Sequence, residues 1–94
     1  MNAPLQIEHH AAASRFEAHV DGRLSVCAYR QVGQTLHLTH TEVHPALQGR
    51  GIAAALVQAA LDWARAEGLK VRPLCSYVAL YMRRHPQTQD LLDA

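Results

Sequence analysis

The chain lacks the features that would assign it to several large classes of protein. It has only two cysteines, Cys27 and Cys75, too few and too far apart for a disulfide framework. No apolar run approaches the roughly 18 residues of a membrane-spanning helix. The opening Met1-Asn2-Ala3-Pro4-Leu5-Gln6 has no basic region followed by an apolar one, so no signal peptide is read there. A cytoplasmic protein with both thiols free is the expectation. Charge of one sign is also missing. Nine Lys and Arg stand against eight Asp and Glu, a net +1, which gives no basis for a nucleic-acid or membrane-surface role. The seven histidines (His9, His10, His19, His37, His40, His44 and His85) show no zinc-type spacing with cysteine or carboxylate, so no metal site is expected. There is no Gly-Lys-Ser/Thr phosphate loop, and Gly49-Arg50-Gly51 lacks the third glycine of a dinucleotide fingerprint.

Ninety-four residues, 49% apolar and 18% charged, describe one folded domain with a real but modest core. Residues 1–12 read as a flexible polar lead and residues 13–94 as the domain. From Arg15, Phe16, Ala18 and Val20 alternate with Arg15, Glu17 and His19, the pattern of a half-buried strand. Asp21-Gly22 signals a hairpin. Leu24, Val26 and Ala28 continue the alternation in a second strand, and residues 35–43 form a third. Residues 50–67 change period: Ile52, Leu56, Ala59 and Trp63 fall at helical spacing, with Gly68 as a C-terminal cap. A short strand over residues 69–74 and a helix over residues 76–84 follow. Pro86 ends that helix, and residues 87–92 form a last turn. The step from third strand through helix to fourth strand is a right-handed β-α-β crossover.

The most informative stretch is Glu42-Val43-His44-Pro45-Ala46-Leu47-Gln48-Gly49-Arg50-Gly51-Ile52-Ala53. It is either a plain strand-to-helix turn or an anion site, in which a glycine turn and a helix start aim backbone N–H groups into one concavity. Gln48-x-x-Gly51-x-Ala53 after a strand resembles the Gln/Arg-x-x-Gly-x-Gly/Ala loop of the GNAT superfamily of N-acetyltransferases. A second segment, Cys75-Ser76-Tyr77-Val78-Ala79-Leu80-Tyr81-Met82-Arg83-Arg84-His85-Pro86, is similar to one that recurs in the minimal single-domain GNAT proteins. His40-Thr41-Glu42-Val43 matches them too. The resemblance covers roughly residues 14 to 90. It implies an α/β (α+β) minimal GNAT-like fold: an antiparallel three-strand meander, a β-α-β crossover and a C-terminal helix.

The resemblance also implies acetyl-CoA as cosubstrate and a primary amine, in a protein or a small molecule, as acceptor. The pyrophosphate would lie on Gln48, Gly49, Arg50, Gly51, Ile52 and Ala53. The pantetheine would pair with the backbone of Thr41, Glu42 and Val43, and the Val43 N–H would polarise the acetyl carbonyl. His85, with Arg83 and Arg84, is the candidate contact for the 3′-phosphate. Cys75, ahead of a helix, is either a small buried residue beside the cofactor or a low-pKa thiol that takes the acetyl group. If transfer is direct, the base is sought in Glu42 and His40 or in His37. Simple alternation puts Glu42 and His40 on the face of Leu36 and Leu38, where a carboxylate loses water; the other reading is that Glu42 tops the strand in solvent. Tyr81 or Tyr77 either protonates the leaving thiolate or packs in the core. A non-catalytic CoA-binding regulatory module is the alternative to an enzyme.

Overall fold

The computed structural model describes residues 5–93. Strands β1 (Ile7–His10), β2 (Arg15–Val20), β3 (Arg23–Val32), β4 (Thr35–Glu42) and β5 (Lys70–Pro73) form one sheet in chain order. The first four pair antiparallel and β4 pairs parallel with β5, across helix α1 (Ile52–Ala66). Helix α2 (Ser76–Arg84) follows, then a 3₁₀ segment over Pro86–Leu91. The sheet's inner face and both helices share one apolar cluster that includes Phe16, Leu36, Leu38, Leu56, Leu61, Val71, Val78 and Met82. Most outward residues, such as His19, Leu24, Arg30, Val32 and Arg72, are exposed. Glu17 is the exception, buried beneath Arg15 and His10.

The meander has four strands where three were expected. Part of the segment read as a flexible lead is ordered: Ile7–His10 is a strand and Ala11–Ala13 a 3₁₀ turn, while residues 1–4 lie outside the described residues. The cause is a histidine that behaves as an aromatic. His9 points inward and stacks on Phe16, with ring centroids 4.1 Å apart and 6° between planes. It meets Trp63 edge-on at 4.6 Å, and its Nε2 lies 2.7 Å from the Tyr29 hydroxyl. Ile7 and His9 thus supply the inward period of a strand whose histidine reads as polar in sequence.

This packing has a pH signature. Burial, and secondarily His10, hold His9 below the ordinary histidine value. The folded state prefers the neutral ring, whereas the unfolded chain takes up the proton near pH 6.5. The contribution is complete above about pH 6.5 and is lost as pH falls through the folded-state value. In His9→Phe, which keeps the stack, urea midpoints should fall less between about pH 7 and 5 than in wild type. Equal falls would contradict this account of β1.

The decisive local feature is a β-bulge in β4. Ala28 pairs with His40 but Tyr29 pairs with Leu38, which leaves Thr39 as an extra residue. An extra residue inverts the alternation beyond it. Leu36 and Leu38 point inward, and so does Thr41, opposite buried Cys27. His40 and Glu42 point outward. The expectation that Glu42 and His40 share the leucine face is therefore wrong: their side chains are 71% and 60% exposed.

Candidate active site

Two helix N-termini meet at the carboxyl ends of β4 and β5. The first is built by the loop after β4. Pro45–Leu47 makes a 3₁₀ turn, with the Ala46 N–H donating to His44 Nδ1 at 3.0 Å. Leu47 and Ile52 are buried and anchor the loop, and Gln48, Gly49, Arg50 and Gly51 between them are exposed. Gly49 and Gly51 have φ of 84° and 80°, a left-handed conformation that side-chain-bearing residues adopt at a cost. Gly51 is the N-cap of α1, and the first helical bond runs from the Ala55 N–H to its carbonyl. The N–H groups of Ile52, Ala53 and Ala54 therefore have no partner within the helix and, with the dipole, make this end electropositive.

Arg50 does not turn into this concavity. Its guanidinium donates to Asp21 Oδ2 at 2.9 Å, in the β2–β3 turn. Both partners are more than half exposed, so the pair holds the arginine only loosely.

The second N-terminus is that of α2. The β4–β5 register ends at Leu38 and Pro73. The Leu38 carbonyl then accepts from the N–H groups of both Leu74 and Cys75, at 3.1 and 3.0 Å, and the chain turns into the helix. From Thr39 onward β4 has no β5 partner. The strand edge expected to pair with pantetheine, Thr41 to Val43, is thus open on that side, with Val43 packed against the core.

Cys75 stands at this opening, half-buried, in the N-cap position of α2. The Ala79 N–H bonds to its carbonyl, so the N–H groups of Ser76, Tyr77 and Val78 are free of intrahelical bonds. Burial pushes the thiol's pKa up, but the N–H groups of Val78, Tyr77 and Thr41 and the Thr41 hydroxyl outweigh it, and the net shift is downward. These N–H groups face the sulfur without completing a side-chain cap. Thr41 Oγ1 is 3.7 Å from Cys75 Sγ and 3.9 Å from Cys27 Sγ. Cys27 is fully buried and pushed up to about 11, by burial first and by Cys75 in smaller part, against the Thr41 hydrogen bond. The two thiols are thus shifted in opposite directions.

The structure disperses the remaining candidates. Tyr81 is buried, and its hydroxyl donates to Gln58 of α1 across the helix interface. Burial, Tyr77 and Asp62 raise its pKa. Tyr77, half-buried in the first turn of α2, is raised by burial. His85 stacks on Tyr81 at 3.9 Å, and its Nδ1 lies 2.7 Å from the Tyr81 carbonyl, capping the helix end. That end lies against the C-terminal half of α1, where Arg65 reaches the Gln87 carbonyl, away from the 48–53 loop. His40 Nε2 and Glu42 Oε1 pair at 3.0 Å on the outer face. His37 lies there too, between Arg30 and Arg72 in register, its Nδ1 buried without a partner. Among the described residues, no three His, Cys, Asp or Glu side chains cluster to hold a metal ion, and no helix is long and apolar enough to cross a membrane. Sequence reasoning missed the inward Thr41 side chain and the proximity of Cys27. The Thr41–Cys27 relation depends on the Thr39 bulge, which no glycine or proline marks.

A mixed five-strand sheet opened beside a glycine loop and two helix starts is a GNAT-like fold. The chain belongs to the family of GCN5-related N-acetyl-transferases, which its residues 15–91 match. It is 38% identical over 91 residues to protein NATD1 of Gallus gallus, covering 94% of this chain and 83% of that protein. The Homo sapiens NATD1 is 37% identical over the same length, covering 94% and 80%. The fold is similar to the NMR solution structure of a GCN5-like protein from Staphylococcus aureus, with a TM-score of 0.76 and 26% identity, covering 96% of this chain and 89% of that one.

Proposed function

We propose that the protein is an acetyl-CoA-dependent N-acetyltransferase that carries the acetyl group on Cys75 before passing it to a primary amine. The observation that carries this reading is the position of Cys75: a thiol lowered in pKa at a helix N-terminus, beside an opened strand edge. The free N–H groups of Ile52, Ala53 and Ala54 suit a pyrophosphate, and the family generally uses acetyl-CoA. When bound, the cosubstrate supplies an activated thioester.

The chain's own residues would act as follows. The Cys75 thiolate attacks the thioester carbonyl, and its new C–S bond replaces the C–S bond to CoA, which leaves as thiolate and takes up a proton. The N–H groups facing Cys75 receive the negative charge of each tetrahedral intermediate. The acceptor amine then attacks acetyl-Cys75; an amide forms, the Cys75 thiolate leaves, and the amine loses its proton. Thioester exchange between two thiols is nearly thermoneutral, so the first step stores the acetyl group rather than spending it. A reducing cytoplasm suits a free thiol in this role.

A CoA-binding module without transferase activity is the second reading. The outward placement of His40 and Glu42 favours it, because both candidate bases lie on the outer face of the sheet while Thr41, beside Cys75, points inward. Turnover separates the two. Incubation with acetyl-CoA and a panel of primary amines should release free CoA thiol in proportion to the amine acetylated. CoA that raises the melting temperature while no amine elicits thiol release would leave only the module.

The loop carries its own test. A Cβ at Gly51 would meet no atom within 4 Å, so Gly51→Ala adds only backbone strain at φ 80°. It should cost about 1–2 kcal/mol in urea unfolding. It should also weaken CoA binding by calorimetry, since the Ile52 and Ala53 N–H groups are re-aimed. Unchanged affinity would remove the loop from the binding site.

A further inference from the structure

The bulge at Thr39 brings three groups from three elements into one line: Cys27 on β3, Thr41 on β4 and Cys75 at the start of α2. The hydroxyl in the middle has one proton to give. In the structure the Thr41 hydroxyl donates to Cys27 Sγ at 3.9 Å, and the Cys75 thiol donates to Thr41 Oγ1 at 3.7 Å. This order is possible only while Cys75 is protonated. A thiolate has no proton to give and needs donors.

We propose that Thr41 is a positioning residue for Cys75, a hydroxyl rotor that reverses its hydrogen bond when the thiol ionises and is backed by Cys27 as a permanent thiol. On ionisation the hydroxyl turns about its C–O bond and donates to the Cys75 sulfur. Its freed lone pair then accepts the S–H of Cys27. No proton passes along the line; the proton lost by Cys75 goes to solvent, and only the direction of two hydrogen bonds changes. When Cys75 carries an acyl group, the hydroxyl returns to Cys27. Every sulfur and oxygen of the line keeps a partner in both states, which matters in a site from which water is partly excluded.

Cys27 can fill this place because it does not ionise. It is fully buried, and burial pushes its thiol up to about 11. Among the described residues it is the titratable group that faces Cys75 from the sheet; the helix offers the N–H groups of Tyr77 and Val78, and no charged side chain contributes to the shift. Serine in place of Thr41 would keep the rotor. Valine, of the same shape, would remove it and leave a methyl group against the thiolate.

The inference deepens the reading of Cys75 as the acetyl carrier, and its test runs without acetyl-CoA so that the two fail separately. The rate of Cys75 alkylation by iodoacetamide, followed by peptide mass spectrometry across pH, gives the thiol pKa directly. Loss of a donor to the charged form should raise that pKa and slow alkylation at neutral pH about tenfold in Thr41→Val. Thr41→Ser should stay within about twofold of wild type, and Cys27→Ala should slow the reaction about two- to threefold. A Thr41→Val profile that superimposes on wild type overturns the proposal. So does a Thr41→Ser profile shifted as far as Thr41→Val, which assigns the residue a packing role only. Should Thr41→Val fail to fold, Cys27→Ser against Cys27→Ala decides: the serine restores the donor, and equal profiles would overturn the relay. A shifted profile in a protein that never acquires acetyl on Cys75 would keep the relay and remove the acetyl-carrier reading.

Discussion

Cys75→Ala should lower the rate of amine acetylation by about 10²- to 10⁴-fold while leaving CoA binding and the fold in place. The size follows from what is lost. The sulfur is the group placed at the opened edge of β4, with free N–H groups facing it from both the strand and the helix. Removing it takes away the nucleophile and leaves those donors to assist a direct attack by the amine. The fold should be little affected, since the thiol is only half-buried and its hydrogen-bonded partner, the Thr41 hydroxyl, keeps Cys27. A destabilisation of no more than about 1 kcal/mol is expected. Cys75→Ser should be nearly as slow, because a hydroxyl ionises far above neutral pH. Steady-state rates measured at saturating acetyl-CoA check this. A loss of only a few-fold would mean that the amine attacks acetyl-CoA directly.

The largest effect on stability is expected at Leu38. Its side chain is fully buried in the sheet's inner face, and its carbonyl holds the turn from β5 into α2 by accepting two N–H groups. Leu38→Ala should cost about 2–5 kcal/mol, from lost apolar transfer and the cavity left behind. Total stability for such a domain is about 5–15 kcal/mol, so this single change removes a large share of it. Leu74→Ala, two positions from the turn's end but 54% exposed, should cost less than about 0.5 kcal/mol. Urea unfolding of the pair measures the contrast. Similar losses in the two variants would show that the Leu38 side chain is not a keystone of the core.

Much of this was legible in the residues because the signals were local. Asp21-Gly22 adopts the doubly positive φ of a hairpin turn, the alanine-rich stripe from Ile52 is helix α1, and Ser76–Arg84 is helix α2 with Pro86 just beyond. Gly49 and Gly51 hold the left-handed backbone that the loop motif required. What was illegible is non-local. A bulge depends on the partner strand, and the sequence Thr-Leu-His-Leu-Thr-His-Thr-Glu has no apolar residue after Leu38 to report the change of phase, so nothing in it marks Thr39. That one residue moved Glu42 and His40 out into water and Thr41 in. His9 was misread for a related reason: its partners Phe16, Tyr29 and Trp63 come from three other elements. His85 matched a motif, yet its ring serves the end of α2. Arg50 sat in the motif too, but its charge is shared with Asp21, a residue from another turn.

The most direct test of the account is the mass of the protein after incubation with acetyl-CoA and no acceptor, for wild type and Cys75→Ala, with the modified residue located by peptide mapping. The account predicts one acetyl group on Cys75 of the wild type, none in the variant, and discharge of that group on addition of a primary amine. Wild-type protein that binds acetyl-CoA and turns it over with amine, yet never carries acetyl on Cys75, would contradict it.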